Sequence, residues 1–441
     1  MASYDYLILG NSAAAVSAIE TIRSLDAEGT IAVVSPEKFP AYSTPMISYL
    51  LKGKVDEDKM PIRSESFYAD NAVEQLLGEP ATAIDAAAHT VTVGGEQVGY
   101  GKLLVACGSV PADPPIEGLA GENVFAFLNL TNAREVMSYI AKLRDERPDA
   151  PVRVAVIGSG LIGCKACEGL AQAADEVTML ARSPLILRSI IDEDASRIAE
   201  KALASAGVDV RLSTQATAFA KEGDRVVQLT LNDGSALDCD IVMLAAGVKA
   251  NAAMLADAGA EVQRGAVCDA HMQTTLADVY AAGDIAMSRD CITGADRVIA
   301  LWPNAVAQGR VAGLAMAAAR MGNAASDANA AAGAAFDGAF PFNSIPLCGI
   351  TICTAGAKDA GEGMQQTVQT DGSTYVKLVT RDDRLVGFTL VNRPERAGIY
   401  TRIIAEGTPL STLDPSILEN APRLIDLPAS SRWTLDEGGA L

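Results

Sequence analysis

Residues 154–169 read VAVIGSGLIGCKACEG. A short apolar run ends at Gly158, and a helical pattern opens at Leu161. The spacing Gly158-Ser159-Gly160-Leu161-Ile162-Gly163 is G-x-G-x-x-G. In such a loop the first glycine makes a tight turn. The second lets a pyrophosphate approach the backbone, and the third lets helix and strand pack closely. The helix N-terminus adds free N–H groups and a dipole that favours phosphate. The pattern predicts a strand over 152–157, a helix over 161–173 and a strand over 176–181. That βαβ setting makes the motif far more specific than an isolated match.

A worn version lies at 7–20, LILGNSAAAVSAIE. A strand over 4–9 leads into Gly10, then a helix over 12–25 and a strand over 30–34. Ser12 stands in place of the second glycine and Ala15 in place of the third. Alanine is permitted there, and serine is small. Alone, this loop fits a dinucleotide site and a ligand-free strand–helix turn equally. Strands near 207–212, 226–231 and 240–245 continue an alternation that implies parallel sheets with helices on both faces. The segment 322–338, GNAASDANAAAGAAFDG, reads as a linker. Strand-like pieces at 374–379 and 385–391, joined by RDDR, and a helix around 394–405 predict a separate α+β domain.

Two further stretches decide the reading. DVYAAGDIA, 278–286, ends an apolar run at Gly283-Asp284, and KLLVACGSVP, 102–111, ends another at Ala106-Cys107-Gly108. These four ordered motifs resemble the FAD- and NAD(P)-dependent pyridine nucleotide-disulfide oxidoreductase superfamily, from Tyr6 to about residue 412. The resemblance implies an α/β fold: two Rossmann-like dinucleotide-binding domains, for FAD and NAD(P), plus a C-terminal α+β interface domain. It divides the chain into an FAD domain (1–115 and 246–321), an NAD(P) domain (116–245), the linker 322–338 and an interface or docking domain (339–441).

The same resemblance implies roles for single residues. Gly10, Ser12 and Ala13 form the FAD loop. Glu37 is the ribose partner, displaced because Ser35 occupies the usual acidic place. Ala81 meets the adenine, and Asp284 the ribityl-pyrophosphate region. Cys107 stands where the family usually has threonine, so it implies no redox role. In LWPNAVAQG, 301–309, Pro303 suits the first turn of a helix. The family aims that helix at the flavin, where its N-terminus would stabilise negative charge. Trp302, Pro303, Asn304 and Ala305 are thus implicated, with Trp302 either beside the ring or filling core. Ala106, Cys107 and Gly108 complete the FAD side, and Pro45 and Gly247 are further cofactor-binding positions. Gly158, Gly160, Leu161, Ile162 and Gly163 hold the nicotinamide nucleotide.

The position that reads the cofactor ribose falls at the end of strand 176–181. A carboxylate there favours NADH. Here Ala181 is followed by Arg182, with Arg188 six residues on. Guanidinium groups can pair with a 2′-phosphate, and the spacing resembles that of NADPH-dependent glutathione reductases. NADPH is therefore favoured over NADH, against a reading as two solvated arginines. Lys165 stands where many relatives carry Glu near the nicotinamide. It can pair with Glu168 or another carboxylate, or meet the cofactor.

The acceptor separates the branches of the superfamily. Disulfide reductases carry C-x4-C after the first βαβ unit, yet the first cysteine here is Cys107. Single-cysteine relatives place a nucleophile where this chain has Pro45. FPAYSTPMISYLLKGK instead resembles the segment of ferredoxin and rubredoxin reductases, with Thr44 in place of the usual Arg. The resemblance implies an enzyme with no catalytic side chain of its own, exchanging electrons with an iron-sulfur redox protein. An NAD(P)H oxidase or thiol reductase, and a flavin-bound structural or sensing subunit, are the alternatives. A homodimer or a subunit of a redox complex is expected, with the C-terminal domain as docking module.

Other features fit a bland role. Cys164 and Cys167 lie inside the loop helix and read as core. Cys348 and Cys353 lie in a strand-like run whose odd spacing puts them on opposite faces, and read as core too. His89 and His271 lack ligand-like companions, so no metal is expected. The 441 residues carry a formal net charge of -20, which argues against nucleic acid and anionic membrane partners. The uncharged run 338–357 contains Pro341, Pro346, Gly349 and Gly356 and makes a poor membrane helix. No Lys or Arg precedes the first apolar run, so a secretory signal is not expected. Eight cysteines read as reduced thiols, and a cytoplasmic location is expected.

Overall fold

The computed structural model describes residues 1–112, 116–322 and 335–414. Most of the expected linker, and the end of the expected docking domain, lie outside these. The chain forms two compact units: 1–47, 55–112 and 248–339, and then 48–54, 113–247 and 340–441. Among the described residues no helix is long and apolar enough to cross a membrane.

The first unit is built on a parallel sheet. Its strands run in the order Val73–Leu77, Ile31–Ser35, Ser3–Leu9, Glu96–Val105, with Val279–Ala281 also parallel to the last. Tyr6 to Leu9 and Ile31 to Ser35 are buried without alternation, as strands covered on both faces must be. Thr90–Val93 and Ala81–Asp85 extend the sheet antiparallel. The helices Ala13–Leu25 and Trp302–Met321 touch backbone to backbone. A Cβ on Gly309 would lie 2.2 Å from the Ala14 carbonyl oxygen, and one on Gly313 2.8 Å from that of Ala18. Arg320 fastens the far end through Asp5 (2.9 Å) and Asp26 (2.6 Å). Tyr6 donates its hydroxyl to the same Asp26 at 2.8 Å.

The second unit contains a parallel sheet in the order Val208–Leu212, Glu176–Ala181, Arg153–Ile157, Ile241–Leu244, Val124–Ala126. Buried Asp240 ties its base together through Arg147 (2.9 Å) and Arg153 (3.2 Å). A five-stranded antiparallel sheet follows, in the order Phe342–Leu347, Ile350–Gly356, Arg384–Val391, Tyr375–Arg381, Gln365–Thr370. The helix Ala397–Glu406 packs against it. The RDDR turn is real: Asp382 and Asp383 both have left-handed φ, 48° and 61°. One expectation is corrected. The run through Cys348 and Cys353 is no single strand, because Cys348 (φ 46°) and Gly349 form the turn of a hairpin. Cys353 is buried core and Cys348 sits half-buried at the tip. Cys164 and Cys167 are fully buried.

Candidate functional site

The two glycine loops can be read atom by atom. Gly158 has φ 123°, and a Cβ there would lie 2.1 Å from the Ala245 carbonyl oxygen. A Cβ on Gly163 would lie 2.1 Å from the Gly158 carbonyl oxygen. Both glycines are therefore demanded by the protein's own packing. Gly160 is different: its φ is -76°, and a Cβ would meet nothing within 4 Å. No protein atom requires glycine there, and the open space is what an approaching phosphate needs. In the first loop Gly10 has φ 110°, and its Cβ would strike the Ala106 carbonyl oxygen at 2.2 Å. Asn11 anchors this loop by accepting the Tyr68 hydroxyl at 2.8 Å.

Two helices elsewhere in the chain carry a side-chain cap. Asn129 caps the helix Leu130–Glu146 with its side chain (2.8 Å to the Asn132 N–H), and Asp192 caps Glu193–Ser205 (3.0 Å to the Ala195 N–H). The helices Ala13–Leu25, Leu161–Ala173 and Trp302–Met321 have no side-chain cap and no acid in the first turn. Their N-terminal donors are left for an anion.

Around the first loop the implied residues converge. A Cβ on Gly283 would lie 3.6 Å from Ala305 Cβ and 3.7 Å from Ala14 Cβ. Gln308 fixes the Gly283 N–H at 2.8 Å. Asp284 faces a cavity of about 540 Å³ with Ser109, Lys249 and Arg264 in its wall. Burial pushes the Asp284 carboxyl above its ordinary value, against a 3.3 Å bond from Ser109 Oγ. Ser109 and Gln308 lie within quoted stretches that give them no role, and Tyr68 lies in none, so their contacts emerge only from the fold. Asn304, buried, donates to the Ile299 carbonyl at 3.1 Å, while Trp302 is half-buried and Pro303 exposed. Burial pushes the Cys107 thiol up to about 12. Glu37 accepts the Tyr42 hydroxyl at 2.7 Å. Ala81 pairs with Val93 on a sheet edge, Pro45 sits exposed in the turn Thr44–Met46, and Gly108 and Gly247 are left-handed turns.

In the second unit Ala181 ends its strand fully buried. Arg182 and Arg188 are exposed, with no ion pair among the described residues. The Leu187 N–H bonds the Ser159 carbonyl at 2.8 Å, so the segment carrying both arginines is fastened to the glycine loop.

Residues 4–309 match the family model described as pyridine nucleotide-disulphide oxidoreductase. The chain belongs to the pyridine nucleotide-disulphide oxidoreductases. It is an FAD-dependent NAD(P)H oxidoreductase of that family. It is similar to the NADH-dependent phenylglyoxylate dehydrogenase subunit epsilon of Aromatoleum evansii, 31% identical over 94% of each chain. Its fold matches a putidaredoxin reductase solved as a covalent complex with putidaredoxin: TM-score 0.81, 24% identity, 99% of this chain and 100% of that one. It also matches an engineered water-forming NADPH oxidase bound to NADPH, derived from a Lactobacillus brevis NADH oxidase: TM-score 0.77, 21% identity, 92% of each chain.

This oxidoreductase uses Lys165 in a way the sequence leaves open. Lys165 pairs with Glu168 and donates to the Pro346 carbonyl at 2.9 Å. Its ammonium also lies 4.7 Å from the centroid of the Tyr49 ring. Lys52 reaches the other Glu168 oxygen at 2.8 Å, and the Cys348 N–H donates to it at 2.8 Å. Burial alone would raise the Glu168 carboxyl, but these donors hold it below the ordinary carboxylate range. The cluster explains why residues 48–54 join the second unit: two lysines, one carboxylate and an aromatic face bind them to the loop helix. A carboxylate, a carbonyl and an aromatic ring thus engage Lys165 within the protein itself.

Proposed function

We propose that this oxidoreductase exchanges electrons between NADPH and an iron-sulfur redox protein, with FAD held by the first unit and NADPH by the second loop. The FAD-binding residues are Gly10, Ser12, Ala13, Glu37, Ala81 and Asp284, with the start of the helix Trp302–Met321. The domain division is the one drawn above from the resemblance, with 339–441 as docking module. FAD, when bound, supplies the conversion between hydride and single electrons. The chain's own residues bind and orient: uncapped helix N-termini face phosphates, and Asp284 holds a polar group in a largely buried place.

One observation carries the acceptor. The loop in which thiol-using relatives keep a nucleophile has Pro45, and the first cysteine, Cys107, has its thiol pushed to about 12 by burial. Attack on a disulfide needs a thiolate. An outer-sphere protein partner needs only close approach, which favours that reading over a thiol reductase. The fold match to a putidaredoxin reductase joined to putidaredoxin supports a protein partner as well. The test is NADPH-driven reduction of ferredoxin or a one-electron dye before and after exhaustive thiol alkylation. Unchanged turnover is expected. Activity abolished by alkylation, with FAD still bound, would refute the proposal.

NADPH is supported by a residue pattern. The substitutions named for the engineered NADPH oxidase turn Asp-Ala-Met into Ala-Arg-Ser and install an arginine five residues later. This chain has Ala181-Arg182-Ser183, and Arg188 five residues later. The remaining substitution named there is Gly to Ala, eighteen residues earlier. At that spacing this chain keeps Gly163, where a Cβ would strike the Gly158 carbonyl.

The role given to Asp284 has its own check. Asp284→Ala should purify with less flavin per chain, measured by visible absorbance after denaturation, while Asp284→Asn retains more. Equal flavin content in all three proteins would remove Asp284 from the site.

A further inference from the structure

Asp192 divides its two carboxylate oxygens between two structures. One accepts the Ala195 N–H at 3.0 Å and caps the helix Glu193–Ser205. The other accepts the Tyr375 hydroxyl at 2.6 Å and pairs with the Lys377 ammonium at 3.0 Å. Tyr375 and Lys377 belong to the strand Tyr375–Arg381 of the five-stranded antiparallel sheet. All three side chains are buried. Lys377 also reaches Asp359 at 3.0 Å. Burial alone would lower the Lys377 ammonium, but Asp192 and Asp359 hold it above its ordinary value. A buried ion pair is weak evidence of stability, because a well-packed apolar pair often serves as well. What it fixes is geometry.

The geometry fixed here is that of a strained segment. Asp192 ends the stretch that carries Arg182 and Arg188. Within that stretch Leu187, buried, has a left-handed φ of 52°. A leucine keeps such a backbone only where its surroundings impose it. The Leu187 N–H bonds the Ser159 carbonyl at 2.8 Å, and the buried Ser196 hydroxyl donates to the Ile186 carbonyl at 2.8 Å. The turn is thus held between the glycine loop and the helix that Asp192 caps. The antiparallel sheet reaches the loop helix Leu161–Ala173 as well. Its Pro346 carbonyl accepts from Lys165 at 2.9 Å, and the Cys348 N–H donates to Glu168 at 2.8 Å.

We propose that Tyr375 and Lys377 are positioning residues for the nicotinamide nucleotide: through Asp192 they set the segment 182–192 against the glycine loop, so that its arginines meet the ribose end of the cofactor. The C-terminal sheet then backs the nucleotide site. The inference rests on the reading of the second loop as that site.

The test uses the full-length, FAD-loaded protein. Asp192→Asn combined with Lys377→Met removes both charges together, so no buried charge is left unpaired, and asparagine still caps the helix. KM for the preferred nicotinamide cofactor should rise about tenfold, the equivalent of one charge-assisted contact, with kcat and flavin content little changed. Hydrogen exchange should quicken across 183–191, while the strand Arg153–Ile157 keeps its protection. Tyr375→Phe removes one hydroxyl only and carries the test if the double variant does not fold. It should quicken the same exchange and raise KM about threefold. Unchanged KM, or unchanged exchange across 183–191, overturns the proposal. Gly160→Val in the same assays separates the two readings. If it raises KM and the double variant does not, the loop is the nucleotide site and the positioning role falls. If Gly160→Val leaves KM unchanged, the reading of the loop falls and the proposal with it.

Discussion

Gly160→Val should leave a folded, yellow protein that NAD(P)H no longer reduces at useful concentrations. The backbone at Gly160 has φ -76° and ψ -172°, which valine adopts without strain. Its Cβ meets no protein atom within 4 Å. Stability and FAD content should therefore hold. The new side chain fills the space from which a pyrophosphate would reach the N-terminus of the helix Leu161–Ala173. Losing two charge-assisted hydrogen bonds at about 1.5–3 kcal/mol each lowers nucleotide affinity by roughly two to four orders of magnitude. Gly158→Ala is the informative contrast. Its φ is 123°, and its Cβ would sit 2.1 Å from the Ala245 carbonyl oxygen, so it should damage folding itself. The measurements are stopped-flow flavin bleaching and a thermal melt. Normal bleaching by Gly160→Val would show that the second loop binds no pyrophosphate.

That contrast also shows what the sequence makes readable. The helix Leu161–Ala173 and the strand Glu176–Ala181 match the sequence reading to the residue. Local constraints suffice there: a glycine turn, a small-residue helix and a buried run. The first strand and helix agree within a residue for the same reason. Where partners are distant, the pattern is silent. Cys348 lies in a run apolar on both sides, so nothing local marks the turn with Gly349. Its N–H is held by Glu168, which is 180 residues away. Lys165 admits several readings in the sequence, and only the fold shows Glu168, Tyr49 and the Pro346 carbonyl around it. Ser109 as the donor to Asp284 is likewise a tertiary fact. Cysteines are legible as core where helical periodicity buries them, at Cys164 and Cys167. A β-hairpin tip offers no such periodicity.

The choice between the two nicotinamide cofactors carries the other large expected effect. Wild type should use NADPH better than NADH by kcat/KM. Arg182→Ala combined with Arg188→Ala should reverse that preference. Both guanidinium groups are exposed and lack an ion pair among the described residues, so neither has a structural duty to lose. Their segment is nonetheless fastened to the second glycine loop by the bond from Leu187 to Ser159, which would keep the arginines beside a nucleotide bound there. A guanidinium–phosphate contact is worth about 1.5–3 kcal/mol. Two of them amount to roughly two to four orders of magnitude in NADPH affinity. NADH has no 2′-phosphate and should be spared. Adding Ala181→Asp should then favour NADH, because a carboxylate accepts from the ribose 2′-hydroxyl and repels a phosphate. The similar Aromatoleum evansii protein is described as NADH-dependent, which makes the comparison a demanding one. Steady-state kinetics with both cofactors decide it. If wild type prefers NADH, or if the double variant loses both cofactors equally, the arginines are surface charge and the ribose is read by other groups. A selective loss of NADPH assigns the 2′-phosphate to Arg182 and Arg188.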